Sequence, residues 1–366
     1  MNIKLIKSGK INKNKLGYLY LFIGIFFRST IEIALTLIKN ENTSPIIINT
    51  IRMLIGGIFL LGYITISGRL NQFKQFIRIF PKYYIPAAII GLVIGQIIYI
   101  NGTQKTQPEL AATIFSSNPI IISLYMMLFQ NEKKTKYKII GVIIGFLGVL
   151  LIITELKFDV FLQEEYLVGN LLVFIGMSLW TLDVILGKLI FNKSQNQKEK
   201  DTEKLGENNQ KNKKLSNQNK NEHNTLDKEE QKRKENNNQD IAFDSLDFNA
   251  ATFIIAGLAM VPFLALPSEI EIIPKMTIKA WMGILWLGII TGGIGYLLFF
   301  KGIQDIEASE GINAFYFKPV FSTVLSFLIF GNIPSTIFYI GLIIEIFALV
   351  LVSKTNKNAR KKTNSA

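Results

Sequence analysis

Apolar runs of roughly 17–25 residues follow one another along the chain, and each is long enough for a helix to cross about 30 Å of hydrocarbon. The pattern predicts ten helical spans, over 16–38, 45–67, 83–101, 108–130, 138–154, 166–191, 249–266, 280–301, 311–330 and 335–353, which describes an all-α integral membrane protein. Between the second and third runs, Leu70, Phe73, Phe76, Ile77 and Phe80 recur at helical spacing with Lys and Arg between them. They predict an amphipathic helix lying along the inner membrane interface. One stretch interrupts the alternation: 193–240 is rich in Asn, Lys, Gln and Glu and has almost no aromatic or β-branched residues. It buries too little apolar surface to offset its conformational entropy and is expected to be a disordered insertion.

Composition sharpens this picture. Only 18% of the 366 residues are charged and 49% are hydrophobic, against about 25% charged in soluble domains. The charge is also concentrated in connections. The lysine-rich N-terminus, the connection with Arg69, Lys74, Arg78 and Lys82, the one with Lys133, Lys134, Lys136 and Lys138, the 192–248 stretch and the tail from Lys354 to Lys362 are basic. Those between them, such as Asn40 to Ser44 and the segment with Glu155, Asp159, Glu164 and Glu165, are neutral or acidic. By the positive-inside rule both termini face the cytoplasm of the plasma membrane, and the number of spans is even. The first run lacks the short core and small-residue cleavage site of a signal peptide and reads as a retained span.

The net charge of +13 therefore calls for no nucleic acid, since no basic helix face carries interleaved aromatics. There is no cysteine, and the single histidine, His223, lies in the polar stretch. No metal site, histidine-based chemistry or cofactor is expected, and no Gly-x-x-x-x-Gly-Lys loop offers a seat for ATP.

Laid on itself at an offset of 200 residues, the chain matches Gly57 with Gly257, Gly95 with Gly295, Gly102 with Gly302 and Gln104 with Gln304. Phe115 then meets Phe315, Pro119 meets Pro319 and Gly141 meets Gly341. Glycine and proline are the residues least exchangeable on backbone grounds. Earlier in the chain, Gly17 matches Gly169 and Gly24 matches Gly176, an offset of 152. The difference, 200 − 152 = 48, is about the length of the polar stretch, which reads as an insertion in the second copy. Two five-helix repeats follow, 16–154 and 166–353, with 193–240 a cytoplasmic insertion in the second. An odd number of helices per copy inverts the second copy in the membrane, the symmetry that suits alternating access about a midplane site.

Several features carry a resemblance to EamA-type members of the drug/metabolite transporter superfamily, over roughly 16–191 and 249–353. They are Ser44-Pro45 followed by Arg52, Asn118-Pro119 followed by Asn131-Glu132, Gly141, Gly145 and Gly148, Gly169 with Trp180, and Lys318-Pro319. The chain departs from the family at Asn332, where an acidic residue is usual, and at Phe27-Arg28, where a Trp-Gly pair is usual. The resemblance implies a secondary transporter that exports or exchanges a small metabolite such as an amino acid. A membrane sensor or scaffold acting through 193–240, and a membrane enzyme on lipid-linked substrates, are the rival readings; no catalytic residue is assigned.

Ionisable residues within apolar spans are the first site candidates, because an unpaired charge at the membrane centre costs at least about 2.5–3.5 kcal/mol. Arg28 and Glu32, four apart, share a helix face and can neutralise each other, as a local ion pair or as an anion contact beside a proton acceptor. Arg52, two turns into its helix, either snorkels to the interface or lines a cavity. Asp183 and Lys318 lie deep enough to line it, and Gln96, Asn118, Trp180 and Tyr316 can complete its wall or bond neighbouring helices. Pro119 and Pro319 are candidate hinges or kinks. The pairs Gly91/Gly95 and Gly141/Gly145 fit close helix packing, within one chain or across a homodimer.

Overall fold

The computed structural model describes residues 13–118, 121, 122, 125, 135–154, 167–187, 189–190, 245–305, 317–331, 333 and 335–363. Among them the chain is helical without strands. In chain order the helices longer than two turns are α1 (Lys13–Arg28), α2 (Ile31–Ile38), α3 (Pro45–Ile66), α4 (Leu70–Ile79), α5 (Pro81–Gln104), α6 (Pro108–Ser116), α7 (Lys136–Thr154) and α8 (Leu167–Gly187). They continue with α9 (Ser245–Met260), α10 (Ile278–Leu285 and its continuation through Trp286–Gly295 and Tyr296–Asp305), α11 (Phe317–Phe330) and α12 (Thr336–Thr363). Six described helices are long and apolar enough to cross a membrane: Leu16–Ile38, Pro45–Ile66, Pro81–Gln104, Leu167–Gly187, Leu246–Ala265 and Ile278–Phe299. Ile139–Gly148, Phe317–Phe330 and Thr336–Ala348 are shorter apolar helices. The 193–240 stretch lies outside the described residues.

Helix starts follow local chemistry. Ser44 caps α3, its hydroxyl accepting from the Ile47 amide at 3.1 Å, and Pro45 fills the first position, where no amide hydrogen is missed. Within α5 and α10 the backbone widens into π-helix over Ala87–Gly95 and Trp286–Gly295. Both segments are glycine-bearing and end against the buried polar side chains Gln96 and Tyr296.

Glycines set which helices touch. A Cβ on Gly24 would lie 2.6 Å from the Phe299 amide nitrogen, and one on Gly176 2.6 Å from that of Tyr99. In the same way Gly102 abuts the backbone of Gly169 and Val173, while Gly302 abuts that of Gly17 and Leu21. Thus α1 lies on α10 and α5 on α8. Helix α3 packs on α9, with Gly57 against Ile254 and Gly257 against Leu54, and α7 packs on α12, with Gly148 against Gly341 and Glu345.

The amphipathic segment forms the expected helix, but its apolar face is not offered to lipid. Phe73 and Phe76 are buried, with Phe80 just beyond the helix end, and Phe76 packs on Phe80 and Tyr84 at ring separations of 5.4 and 6.0 Å. Of the expected face, Ile77 is the half-exposed member. The reason is that α4 folds back on α3 and α9, which offer these rings a protein surface.

Two polar clusters sit at the two ends of α3. At its start, Ser44 donates to Glu269, the Asn42 amide donates to the Lys275 carbonyl at 3.0 Å, and Glu41 accepts from Thr277 at 2.7 Å and pairs with Lys279 at 2.9 Å. Beyond its end, Arg69 pairs with buried Asp247 at 2.9 Å. The 22 residues of α3 separate them by about 33 Å, close to the thickness of a bilayer core. The Thr277 hydroxyl, then the Lys279 ammonium, hold the Glu41 carboxyl below its ordinary value of 4.5. A lowered carboxylate stabilises the fold above the unfolded pKa and ceases to do so as pH falls through the folded one. Melting curves of wild type and Glu41→Gln are therefore expected to differ at neutral pH and to converge as the pH drops below 4.5.

Candidate functional site

The break between α1 and α2 organises the centre. Ser29 donates its hydroxyl to the Ile25 carbonyl at 2.7 Å and Thr30 to that of Phe27 at 2.7 Å, so two consecutive side chains compete for the helix's own acceptors. The helix ends at Arg28 and restarts at Ile31. Glu32, on the restarted turn, is fully buried; it accepts from the Tyr99 hydroxyl and forms an ion pair with the Lys318 ammonium. Its second oxygen has no hydrogen-bond partner among the described residues. The neutralisation of Glu32 by Arg28 expected from their spacing is therefore not what the fold uses. The four-residue rule holds along an unbroken helix, and here the helix is interrupted between the two.

Arg28 instead enters an aromatic box. Its guanidinium carbon lies 4.0 Å from the Tyr296 ring centre, 5.3 Å from Trp180 and 5.5 Å from Phe299. Trp180 donates its indole NH to the Tyr296 hydroxyl at 2.9 Å, fixing two walls of that box to each other. A guanidinium over aromatic faces is favoured most where water is excluded, and Arg28 is 1% exposed. Lys318 is likewise buried and lies 4.0 Å from the Phe115 ring.

Arg52 is 5% exposed and does not snorkel to an interface. Its Nε and Nη2 donate to the Asn49 side-chain oxygen at 3.1 and 3.0 Å, and Nη2 also donates to the Gln96 side-chain oxygen. Asn49 is in turn held by its amide, which donates to the Leu92 carbonyl at 2.7 Å. The partners of Arg52 are thus neutral amides that orient the guanidinium without cancelling its charge.

Arg28, Arg52, Gln96 and Lys318 line one cavity, with Ile31, Met53, Tyr99, Phe115, Phe253, Leu287, Thr291, Gly292 and Tyr296. Its open space is about 20 Å³, room for about one water molecule. The other sequence candidates are not among the described residues that line it. Asp183 is buried on α8 against Gly91, with neither oxygen hydrogen-bonded among the described residues, and Asn118 donates to Thr181 at 3.0 Å as a bond between helices. Trp180 backs the cavity through Arg28. Tyr316 and Pro119 lie outside the described residues. Pro319 is the third residue of α11, and the carbonyl four residues before it, whose loss would bend the helix, lies outside them as well.

Sequence reasoning missed Tyr99, Asn49 and Tyr296, which hold Glu32, Arg52 and Trp180. Each is a polar-tipped side chain in an otherwise apolar run, a signal present in the sequence but shared with many packing residues. It also missed Glu345, the one acidic residue of α12, which is buried with both oxygens unbonded among the described residues. Among the described residues no group of His, Asp or Glu is arranged to hold a metal.

Known proteins resemble this chain. A model of the EamA-like transporter family matches residues 15–154 and 240–354. The chain is 23% identical over 271 residues to the uncharacterized transporter YyaM of Bacillus subtilis, covering 74% of this chain and 72% of that one. It is 20% identical over 347 residues to an uncharacterized transporter of Clostridium kluyveri, covering 94% and 95%. One crystal structure superposes with a TM-score of 0.55 at 14% identity, covering 94% of this chain and 98% of that one.

Proposed function

The chain belongs to the EamA-like transporter family, and we propose that it is a secondary transporter that exports a small metabolite across the plasma membrane by alternating access. The observation that carries the reading is the charged cavity of Arg28, Arg52 and Lys318, buried between two polar clusters about one bilayer apart. Buried charge of this kind is expensive to keep in a bilayer and marks a pathway. With about 20 Å³ of open space, the cavity must widen to take a metabolite. The Glu41, Ser44 and Glu269 cluster and the Arg69–Asp247 pair are the contacts to break on the outer and inner sides respectively.

The mechanism rests on ten helices in two inverted repeats with both termini cytoplasmic. The glycine contacts support it: Gly24 on 295–299 and Gly176 on 95–99 stand at positions 152 and 200 residues apart, as do Gly102 on 169–173 and Gly302 on 17–21. So do the π-helical segments ending at Gly95 and Gly295. One half rocking on the other about the cavity would exchange which cluster is closed. The work asked of the residues is binding and reorientation, with no bond made or broken.

The test is flux. Protein reconstituted in liposomes is expected to take up members of a pooled set of amino acids and other small metabolites above protein-free vesicles. A pH gradient should change the rate if protons are coupled. Absence of uptake across the pool would sink the transporter reading and favour a sensor or scaffold.

A further inference from the structure

The charges around the cavity do not balance. Its lining holds three cations, Arg28, Arg52 and Lys318, and two buried carboxylates lie within reach of them, Glu32 paired with Lys318 and Asp183 interacting with Arg28. The sum among the described residues is +1 with Asp183 ionised and +2 with it neutral, so it is positive in either state. The three cations also differ in what faces them. Lys318 has the Glu32 carboxylate, and Arg28 lies on the faces of Tyr296 and Trp180. Among the described residues Arg52 hydrogen-bonds only the side-chain oxygens of Asn49 and Gln96, and its Nη1 donates to nothing. A guanidinium held rigidly by neutral amides, with donors left over at a cavity wall, is built to receive an anion that arrives and leaves.

Resting on the transporter reading above, we propose that the substrate is an organic monoanion, a carboxylate on an apolar or aromatic body, and that Arg52 is the residue that anchors its carboxylate. Arg52, held by neutral amides, calls for a negative charge. A phosphate dianion would exceed the sum of +1 found with Asp183 ionised, and an amine would meet net positive charge. The body of the substrate faces Ile31, Met53, Phe115, Phe253 and Leu287, an apolar wall that rewards hydrocarbon or a ring. Met53 is adaptable enough to accept bodies of different shape. Gln96 and Asn49 are positioning residues: they aim the guanidinium and leave its charge intact.

The experiment uses the full chain in liposomes of phosphatidylethanolamine and phosphatidylglycerol, with protein-free liposomes as the blank. Phenylacetate and hexanoate are compared with phenylacetamide and hexanamide, with phenethylamine and hexylamine, and with phenyl phosphate, by counterflow and by thermal shift. Carboxylates are expected to move and to stabilise the protein, and the matched amides, amines and phosphate to do so about tenfold less or worse. Arg52→Gln should abolish the preference and Arg52→Lys should retain part of it. The wild-type comparison stands even if a variant fails to fold. Amides, amines or phosphate moving as well as carboxylates would overturn the anion assignment while leaving the transporter reading intact. Carboxylate preference unchanged in folded Arg52→Gln would overturn the role of Arg52. Absence of flux with every probe, and with the metabolite pool, would sink both.

Discussion

Glu32→Gln should cost about 3–5 kcal/mol of stability, because it leaves the Lys318 ammonium buried without its counter-charge. The pair has no water to fall back on: both side chains are 0% exposed. Lys318→Met should cost a similar amount by stranding Glu32, whose remaining partner, the Tyr99 hydroxyl, is neutral. Combining the two removes both charges, so no buried charge is left unpaired and most of the single-variant cost is relieved. The double variant is therefore expected to melt close to wild type, far above the sum of the single losses, which is the signature of direct coupling. Flux, measured in liposomes, should not return with it, since the cavity would have lost Lys318. Additive losses in the double variant would mean that the two residues do not depend on each other.

Gly176→Ala is expected to destabilise by about 1–3 kcal/mol or more although it adds only one carbon. That carbon would sit 2.6 Å from both the Gly95 carbonyl oxygen and the Tyr99 amide nitrogen. These are backbone atoms of the facing helix and cannot rotate away. The helices must separate, and Tyr99, which holds Glu32, moves with them. Gly62→Ala is the control. It lies within α3 with nothing within 4 Å of its built Cβ, so alanine should stabilise by about 0.5–1 kcal/mol through helix propensity. Thermal unfolding of the two variants side by side tests this; equal effects would mean that glycine is not setting the distance between α5 and α8.

Gly176 also illustrates what could be read in advance. Its match with Gly24 was visible as a spacing, and both glycines lie at close helix approaches. Arg28, Glu32, Arg52 and Lys318 were visible as charges in apolar runs, because the expense of burying charge does not depend on the neighbours. Their partners were not visible. Glu32 pairs with a residue 286 positions away, and the rule that assigned it to Arg28 presumed a helix that two hydroxyls interrupt. The face of α4 was legible as apolar, but whether it met lipid or protein depended on where α3 and α9 lay.

By itself, then, the sequence determined that the chain is helical, that its apolar runs are of membrane length, which positions carry charge among them, and where the 200-residue matches fall. Length, hydrophobicity and backbone freedom are local quantities, and a local reading suffices for them. Only the tertiary structure decided that Lys318 and not Arg28 neutralises Glu32, that Arg28 lies among rings, and that Arg52 is left with neutral partners. Electrostatic compensation in a site closed to water is settled by which side chains distant helices bring within a few ångströms of one another, and one-dimensional spacing does not encode that distance.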